Sequence, residues 1–331
     1  MYIISSYFLA VVLCVITMLC WGSWANTQKL AQRSWRFELF YWDYVIGIVL
    51  TSLIFGFTLG SHGELGRSFL EDLNQADLKN VWSAFLGGII FNAANILLVA
   101  AISIAGMSVA FPIGIGLALV LGVIINYLAE PTGNPVWLFG GVALITTAII
   151  LDALAYRKKV GDGEKSIKKG LLFSVLGGIL MALFYRFVAN SMAMDFESPE
   201  AGYLTPYTAV FIFAIGVLGS NLILNTILMK RPIEGLPLSY SEYFSGNLRT
   251  HLTGILGGVI WCIGMSFSII AAGKAGFAIS YGLGQGATLV AALWGVFIWK
   301  EFKNVRGTQG LLAIMFLSFL GGIAMLIFAG L

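Results

Sequence analysis

Three charged residues stand within otherwise apolar stretches, and chemistry would concentrate there. They are Arg186 in Phe184-Tyr185-Arg186-Phe187, Asp43 in Tyr41-Trp42-Asp43-Tyr44, and Asp152 in Leu151-Asp152-Ala153. An ionised side chain at the centre of a membrane helix costs about 2.5–3.5 kcal/mol by insertion scales, so such residues face protein or a watery cavity. A guanidinium at Arg186 would donate to a solute carbonyl or carboxylate, or meet a coupling carboxylate; its structural alternative is to extend along the helix to the outer interface. Asp43 opens an apolar run beside Tyr44, where a desolvated carboxyl is suited to taking up and releasing a coupling proton; its alternative is to complement a helix N-terminus. Asp152 reads as the structural partner of nearby Arg157.

Neutral groups complete the set. Asn92 and Asn95 are three apart and share one helix face, and their amides offer donors and acceptors to a neutral solute or to neighbouring helices. Gln285 lies in Gly284-Gln285-Gly286, whose glycines admit close approach of backbone or ligand. Trp21, Trp24, Phe111, Trp261 and Tyr281 are candidate stacking walls, with Phe111 beside Pro112 and Tyr281 beside Gly282. Asn26 and Asn190 close the first helix of each half and are candidate gates or caps. The substrate-binding set is therefore Trp24, Asn92, Asn95, Phe111, Arg186, Tyr281 and Gln285, with Asp43 for proton coupling.

These residues sit in a chain that is 59% hydrophobic and 11% charged, with a mean hydropathy of +0.90. That is the composition of an integral membrane protein and not of a soluble globule. Apolar runs of about twenty residues specify spanning helices instead of barrel strands. Cys14, Cys20 and Cys262 all fall in apolar runs and offer neither a disulfide framework nor a metal pair. A membrane-embedded enzyme would need an acid–base pair, a nucleophile or a metal cluster. His62 and His251, the two histidines, lie at a loop and a helix end, and no carboxylates stand at ligand spacing. No cofactor or metal, and no nucleic-acid partner, is expected.

Ten apolar segments can position the set: residues 7–28, 41–60, 81–104, 107–128, 136–156, 170–192, 205–228, 251–272, 277–299 and 308–330. The stretch from Leu86 to Leu128 recurs without a gap from Leu256 to Ile298, with five coincident glycines and a turn at Ala105-Gly106 matched at Ala275-Gly276. Such self-similarity indicates a duplicated half. Fifteen Lys and Arg fall on one side and three on the other, which places the basic side in the cytoplasm and both termini outside it. Residues 1–156 and 170–331 then form two five-helix repeats joined by a basic linker, 157–169. An odd number of helices inverts the second repeat relative to the first. Within the linker, Gly161-Asp162-Gly163-Glu164-Lys165-Ser166 falls short of a phosphate-binding loop, because the spacing is too small and no strand precedes it.

Several short motifs carry a resemblance. Gly22-Ser23-Trp24, Asp43-Tyr44, Asn95 after Gly87-Gly88, Asn126-Tyr127-Leu128, Gln285, Leu293-Trp294-Gly295 and Glu301 resemble ureide permeases. Lys169-Gly170-Leu171, Gly106-Met107-Ser108 and Gly257-Gly258 with Trp261 resemble the rhamnose-proton symporter. Both, with the glucose/ribose porters, belong to the drug/metabolite transporter superfamily. The resemblance implies a ten-helix inverted-repeat carrier, with helices five and ten peripheral, that takes up a small polar solute, often with protons. Two features depart from it: the long central loop of the plant permeases is missing, and Met265 stands opposite Asn95 in the second repeat.

The expectation is an all-α secondary carrier of the cytoplasmic (inner) membrane, a monomer or homodimer, that takes up a sugar, ureide or nucleobase-like compound by alternating access. An exporter of the same fold is the alternative. Protons are the expected coupling ion; sodium is the other candidate, since unwound backbone carbonyls can hold it without a sequence signature.

Overall fold

Long apolar runs must satisfy their backbone hydrogen bonds internally, and the chain does so almost entirely as helix. The computed structural model describes all residues except 32–34, 106, 161–166, 234 and 304, together with the side chains of 107–109, 111, 112, 160 and 167. The helices are α1 (Tyr7–Ser23), α2 (Asn26–Leu30), α3 (Phe37–Phe57), α4 (Phe69–Gln75), α5 (Leu78–Ala105), α6 (Met107–Ala129), α7 (Pro135–Val160), α8 (Ile167–Ser191), α9 (Pro206–Lys230), α10 (Tyr240–Phe244), α11 (Leu248–Ala275), α12 (Phe277–Gln285), α13 (Ala287–Leu293) and α14 (Gln309–Phe328). A π-helical turn, Trp294–Ile298, continues α13.

Among the described residues, eight helical stretches are long and apolar enough to cross a membrane, with α12, α13 and the π turn forming one of them. Two apolar stretches, Tyr7–Ser23 and Ile113–Ala129, are shorter. The first of the ten expected segments is divided, because the chain turns at Trp24-Ala25 before the short α2. The protein is thus an all-α membrane protein. No strand occurs among the described residues; an isolated bridge joins Met192 and Leu204.

Local chemistry sets several boundaries. Asn247 caps α11 by accepting from Thr250 N–H at 2.9 Å, and Pro206 begins α9, where its missing N–H is not needed. α11 stops at Gly276, whose φ of +78° suits glycine, and α12 starts at the next residue. The equivalent turn at Gly106 lies outside the described residues, as does the 161–166 segment of the linker.

α12 and α13 are one span interrupted at Gly286, where Gly286 N–H donates to Leu283 O and Leu289 N–H to Gly286 O, each at 2.9 Å. These are i→i+3 bonds, so the α-helical ladder is broken within the span. Below it, Trp299 N–H reaches Trp294 O at 2.8 Å in an i→i+5 bond.

Packing follows a repeated scheme. α5 lies against α8 and α9, and α11 lies against α1 and α3; α6 meets α8 and α12, α3 meets α9, and α7 pairs with α14. Glycines on both sides permit the close α5–α9 and α3–α11 crossings, Gly88 with Gly216 and Gly47 with Gly258. A Cβ at Gly88 would strike the Phe213 carbonyl of α9, and a Cβ at Gly258 would strike the Tyr44 carbonyl of α3. The end carrying Lys29, Arg36, Lys159, Lys230 and Lys300 is called the basic end below.

Candidate functional site

At the centre, Phe91 of α5 and Trp261 of α11 meet with ring centroids 4.4 Å apart. Trp21 stacks on Trp261 at 5.9 Å and Phe213 does so at 5.9 Å, while Tyr44 approaches it edge-on at 6.4 Å. Phe184 completes the cluster against Phe91 at 5.2 Å. Rings from α1, α3, α5, α8, α9 and α11 therefore converge on one layer.

Immediately toward the basic end lies a polar network. Tyr41 OH donates to Asn92 Oδ1 at 2.9 Å and accepts from Asn95 Nδ2 at 3.1 Å. Asn92 Nδ2 donates to Ser220 Oγ at 2.9 Å. Tyr41, Asn92 and Asn95 are all buried. In hydrocarbon such groups are costly unless mutually bonded, so the network fixes α3, α5 and α9 in register. Its aromatic side is Tyr44, stacked on Tyr41 at 5.3 Å and covered by Trp24 at 4.7 Å. Uncharged amides and phenols beside flat aromatic faces can orient a neutral polar solute by hydrogen bonding and stacking.

Asp43 follows Tyr41 by two residues on α3, on another face of the helix, and is 1% exposed. Its carboxylate accepts from Trp35 Nε1 at 3.2 Å, Tyr243 OH at 2.8 Å and His251 Nδ1 at 2.8 Å. Three elements meet on it: the segment before α3, the short helix α10 and the start of α11. Burial pushes the Tyr243 hydroxyl well above its ordinary pKa, and the hydrogen bond and charge of Asp43 act in the same direction, so this hydroxyl stays a donor. Ser239 and Glu242 form a capping box that starts α10 and aims Tyr243 inward.

At the basic end the start of the chain is bonded to the end of the interrupted span. Trp294 Nε1 donates to Ser23 Oγ at 2.9 Å and Trp299 Nε1 to Asn26 Oδ1 at 2.7 Å. Glu301 accepts from Lys29 at 3.3 Å, Lys159 at 2.9 Å and Tyr156 OH at 3.0 Å. Burial acts to raise the Glu301 carboxyl, but the bonds from Lys159 and Tyr156 and the charges of Lys159 and Lys29 outweigh it and hold the group below its ordinary pKa.

The expected residues divide among these places. Asn92, Asn95 and Trp24 come together around Tyr41 and Tyr44. Asn26 joins the closure at the basic end, whereas Asn190 is exposed near the end of α8. Gln285 is half-buried at the break in its span, beside Gly284, which abuts Trp21. Tyr281 lies elsewhere, donating to Ala118 O and Met181 O at 3.2 Å each, near a hydroxyl cluster in which Tyr185 OH stands 3.1 Å from Ser268 Oγ. Arg186 is half-buried and faces Glu130, whose Oε2 is buried without a hydrogen-bond partner among the described residues. Asp152 is buried, with Oδ1 likewise unpartnered. The side chain of Phe111 lies outside the described residues.

Sequence reasoning missed Tyr41, Ser220 and Asn221, and the partners of Asp43. Tyr41 and Tyr44 stand at i, i+3, and Asn221 and Asn225 at i, i+4, within apolar runs. Both spacings are the signal that selected Asn92 and Asn95. His251 gave no such signal, because its link to Asp43 spans 208 residues of chain.

Comparison with known proteins agrees with this architecture. Ureide permease 1 of Arabidopsis thaliana is 24% identical over 383 residues, covering 98% of each chain. The "Putative sugar uptake protein lin0215" of Listeria innocua is 26% identical over 254 residues, covering 74% of this chain and 78% of its own. A crystal structure titled "Crystal structure of protein" superposes with a TM-score of 0.62 at 14% identity, covering 96% of this chain and 95% of its own, and so shares the fold. The family described as ureide permease matches residues 40–170 and 153–329. The chain therefore belongs to the ureide permease family, a family of membrane transporters and not of enzymes.

Proposed function

We propose that this protein is a proton-coupled secondary carrier that takes up a small neutral polar metabolite across the cytoplasmic membrane by alternating access. The observation that carries the reading is the buried Tyr41–Asn92–Asn95 network beside Trp24 and Tyr44: it is uncharged, rich in donors and acceptors, and built on the same helix, α3, as a buried carboxylate two residues from Tyr41. The relatives named for ureide permeation and sugar uptake support a solute of this kind.

Residues 1–156 and 170–331 act as inverted repeats joined by the linker 157–169, with both termini on the non-cytoplasmic side. The matched packing supports this. Gly88 with Phe213, and Gly258 with Tyr44, are contacts related by offsets of 170 and 169 residues. The basic end is the cytoplasmic one. In the described conformation it is sealed by the Ser23–Trp294, Asn26–Trp299 and Glu301 contacts.

Protonation of Asp43 would neutralise the acceptor shared by Trp35, Tyr243 and His251 and weaken three charge-assisted bonds at once. That loosens α10 and α11 from α3, and with release of the Ser23–Trp294, Asn26–Trp299 and Glu301 contacts it opens the route from the solute site to the cytoplasm. The test is uptake of labelled allantoin, uracil and D-glucose into proteoliposomes, with and without an inward proton gradient. Gradient-dependent accumulation of one probe is expected. Failure of all three to accumulate would refute the reading.

A further inference from the structure

Among the amides between α3, α5 and α9, Asn221 differs from its neighbours. Asn92 is bonded at both ends, Asn95 donates to Tyr41, and Asn225 donates to Glu38 O at 2.9 Å. Asn221 is 0% exposed, yet neither its Oδ1 nor its Nδ2 has a hydrogen-bond partner among the described residues. A buried amide that only braced helices would be bonded to one of them, since leaving it unpaired costs stability without return.

Its position is set by the helix. Asn221 follows Ser220, the acceptor for Asn92, and lies one turn from both Val217 and Asn225. Those neighbours reach α5 and α3 respectively: Val217 O is 3.5 Å from Asn92 Nδ2, and Asn225 bonds the Glu38 carbonyl. Asn221 shares their face and so stands at the junction of α3, α5 and α9. A second buried polar group, Tyr44 OH, is also unpartnered among the described residues, on the ring that stacks with Tyr41 and Trp24.

We infer that Asn221 is a solute-binding residue, whose amide pairs with a neutral solute edge that sets an acceptor beside a donor. A carbonyl next to an N–H has that pattern, and so does a pair of adjacent hydroxyls. The inference rests on the transport reading above and adds to it the α9 wall of the site. It also explains why the amide is left unsatisfied in the closed protein: its bonds form with the cargo, so they add to solute affinity and not to the stability of the empty carrier.

The test is Asn221→Leu, close in size and without polar atoms. Thermal unfolding of the purified variant in detergent should occur at or above the temperature of the parent, because an unpaired polar group has been removed. The KM for whichever of allantoin, uracil or D-glucose the parent transports should rise roughly tenfold to a hundredfold, the loss of one or two hydrogen bonds to the solute. A KM within about twofold of the parent would overturn the assignment of Asn221 alone. So would a fall in unfolding temperature, which would mean that the amide braces the fold. A parent that transports none of the three probes overturns the transport reading and this inference with it. If the leucine variant does not insert, Asn221→Ala takes its place with KM alone as the readout, because the cavity it leaves lowers stability by itself.

Discussion

Phe91 and Trp261 stand 170 residues apart at matching places in two similar stretches of sequence, and in the folded protein their rings lie 4.4 Å apart at the centre of the helices. Each is carried by a helix with a glycine three residues earlier, Gly88 and Gly258, at a close crossing with α9 or α3. The two similar stretches of sequence thus meet in space, and the polar network around Tyr41 is built beside that contact.

The first prediction concerns the crossing itself. In Gly258→Ala the new methyl group meets the Tyr44 carbonyl, which is backbone and cannot swing aside. Separating α3 from α11 should cost about 1–3 kcal/mol, seen as a lower unfolding temperature in detergent. Gly116, where a Cβ would meet nothing within 4 Å, is the control. Equal stability of the two alanine variants would contradict the described packing.

Asp43→Asn should uncouple the carrier. The amide keeps the size of the side chain and can still accept from Trp35, Tyr243 or His251, but no longer titrates. Solute should equilibrate across proteoliposomes without being concentrated by an inward proton gradient. Accumulation at the parental level would remove Asp43 from the coupling role.

Glu301 gives a pH dependence of known sign. Its folded pKa lies below the unfolded carboxyl value of about 4.3, so its contribution is present above that value and disappears as pH falls through the lower, folded one. In Glu301→Gln this acid-dependent contribution should vanish and the contacts to Lys29 and Lys159 should weaken. Unfolding temperatures measured from neutral pH down to acid should show the parent converging on the variant. Parallel curves throughout would show that Glu301 contributes no such term.

At the opposite end, Arg186 and Glu130 should be energetically coupled. Burial raises the Glu130 carboxyl while the Arg186 charge opposes that shift. A double-mutant cycle on unfolding with Arg186→Gln and Glu130→Gln should return a coupling of about 0.2–1 kcal/mol, the range for a partly exposed, solvent-screened pair. Additive effects would mean that Arg186 acts independently and is free for solute or interface.

The amino-acid order alone determined that the chain is an all-helical membrane protein, because spanning hydrocarbon leaves helix as the way for these long apolar runs to satisfy their backbone. It also made Asn92, Asn95 and Asp43 visible, since polar groups within such runs are too costly to be incidental. Tertiary structure decided which of them work together. Tyr41 joins Asn92 and Asn95 across 51 and 54 residues of chain, and His251 reaches Asp43 across 208. Arg186, by contrast, faces Glu130 and not the amide network. Helical spacing fixes which residues share a face of one helix, but it carries no information about which face meets which neighbour. That is set by close crossings such as Gly47 and Gly258 between α3 and α11, where the absence of a Cβ on each side lets two backbones approach and brings polar side chains such as Asp43 and His251 within hydrogen-bonding distance.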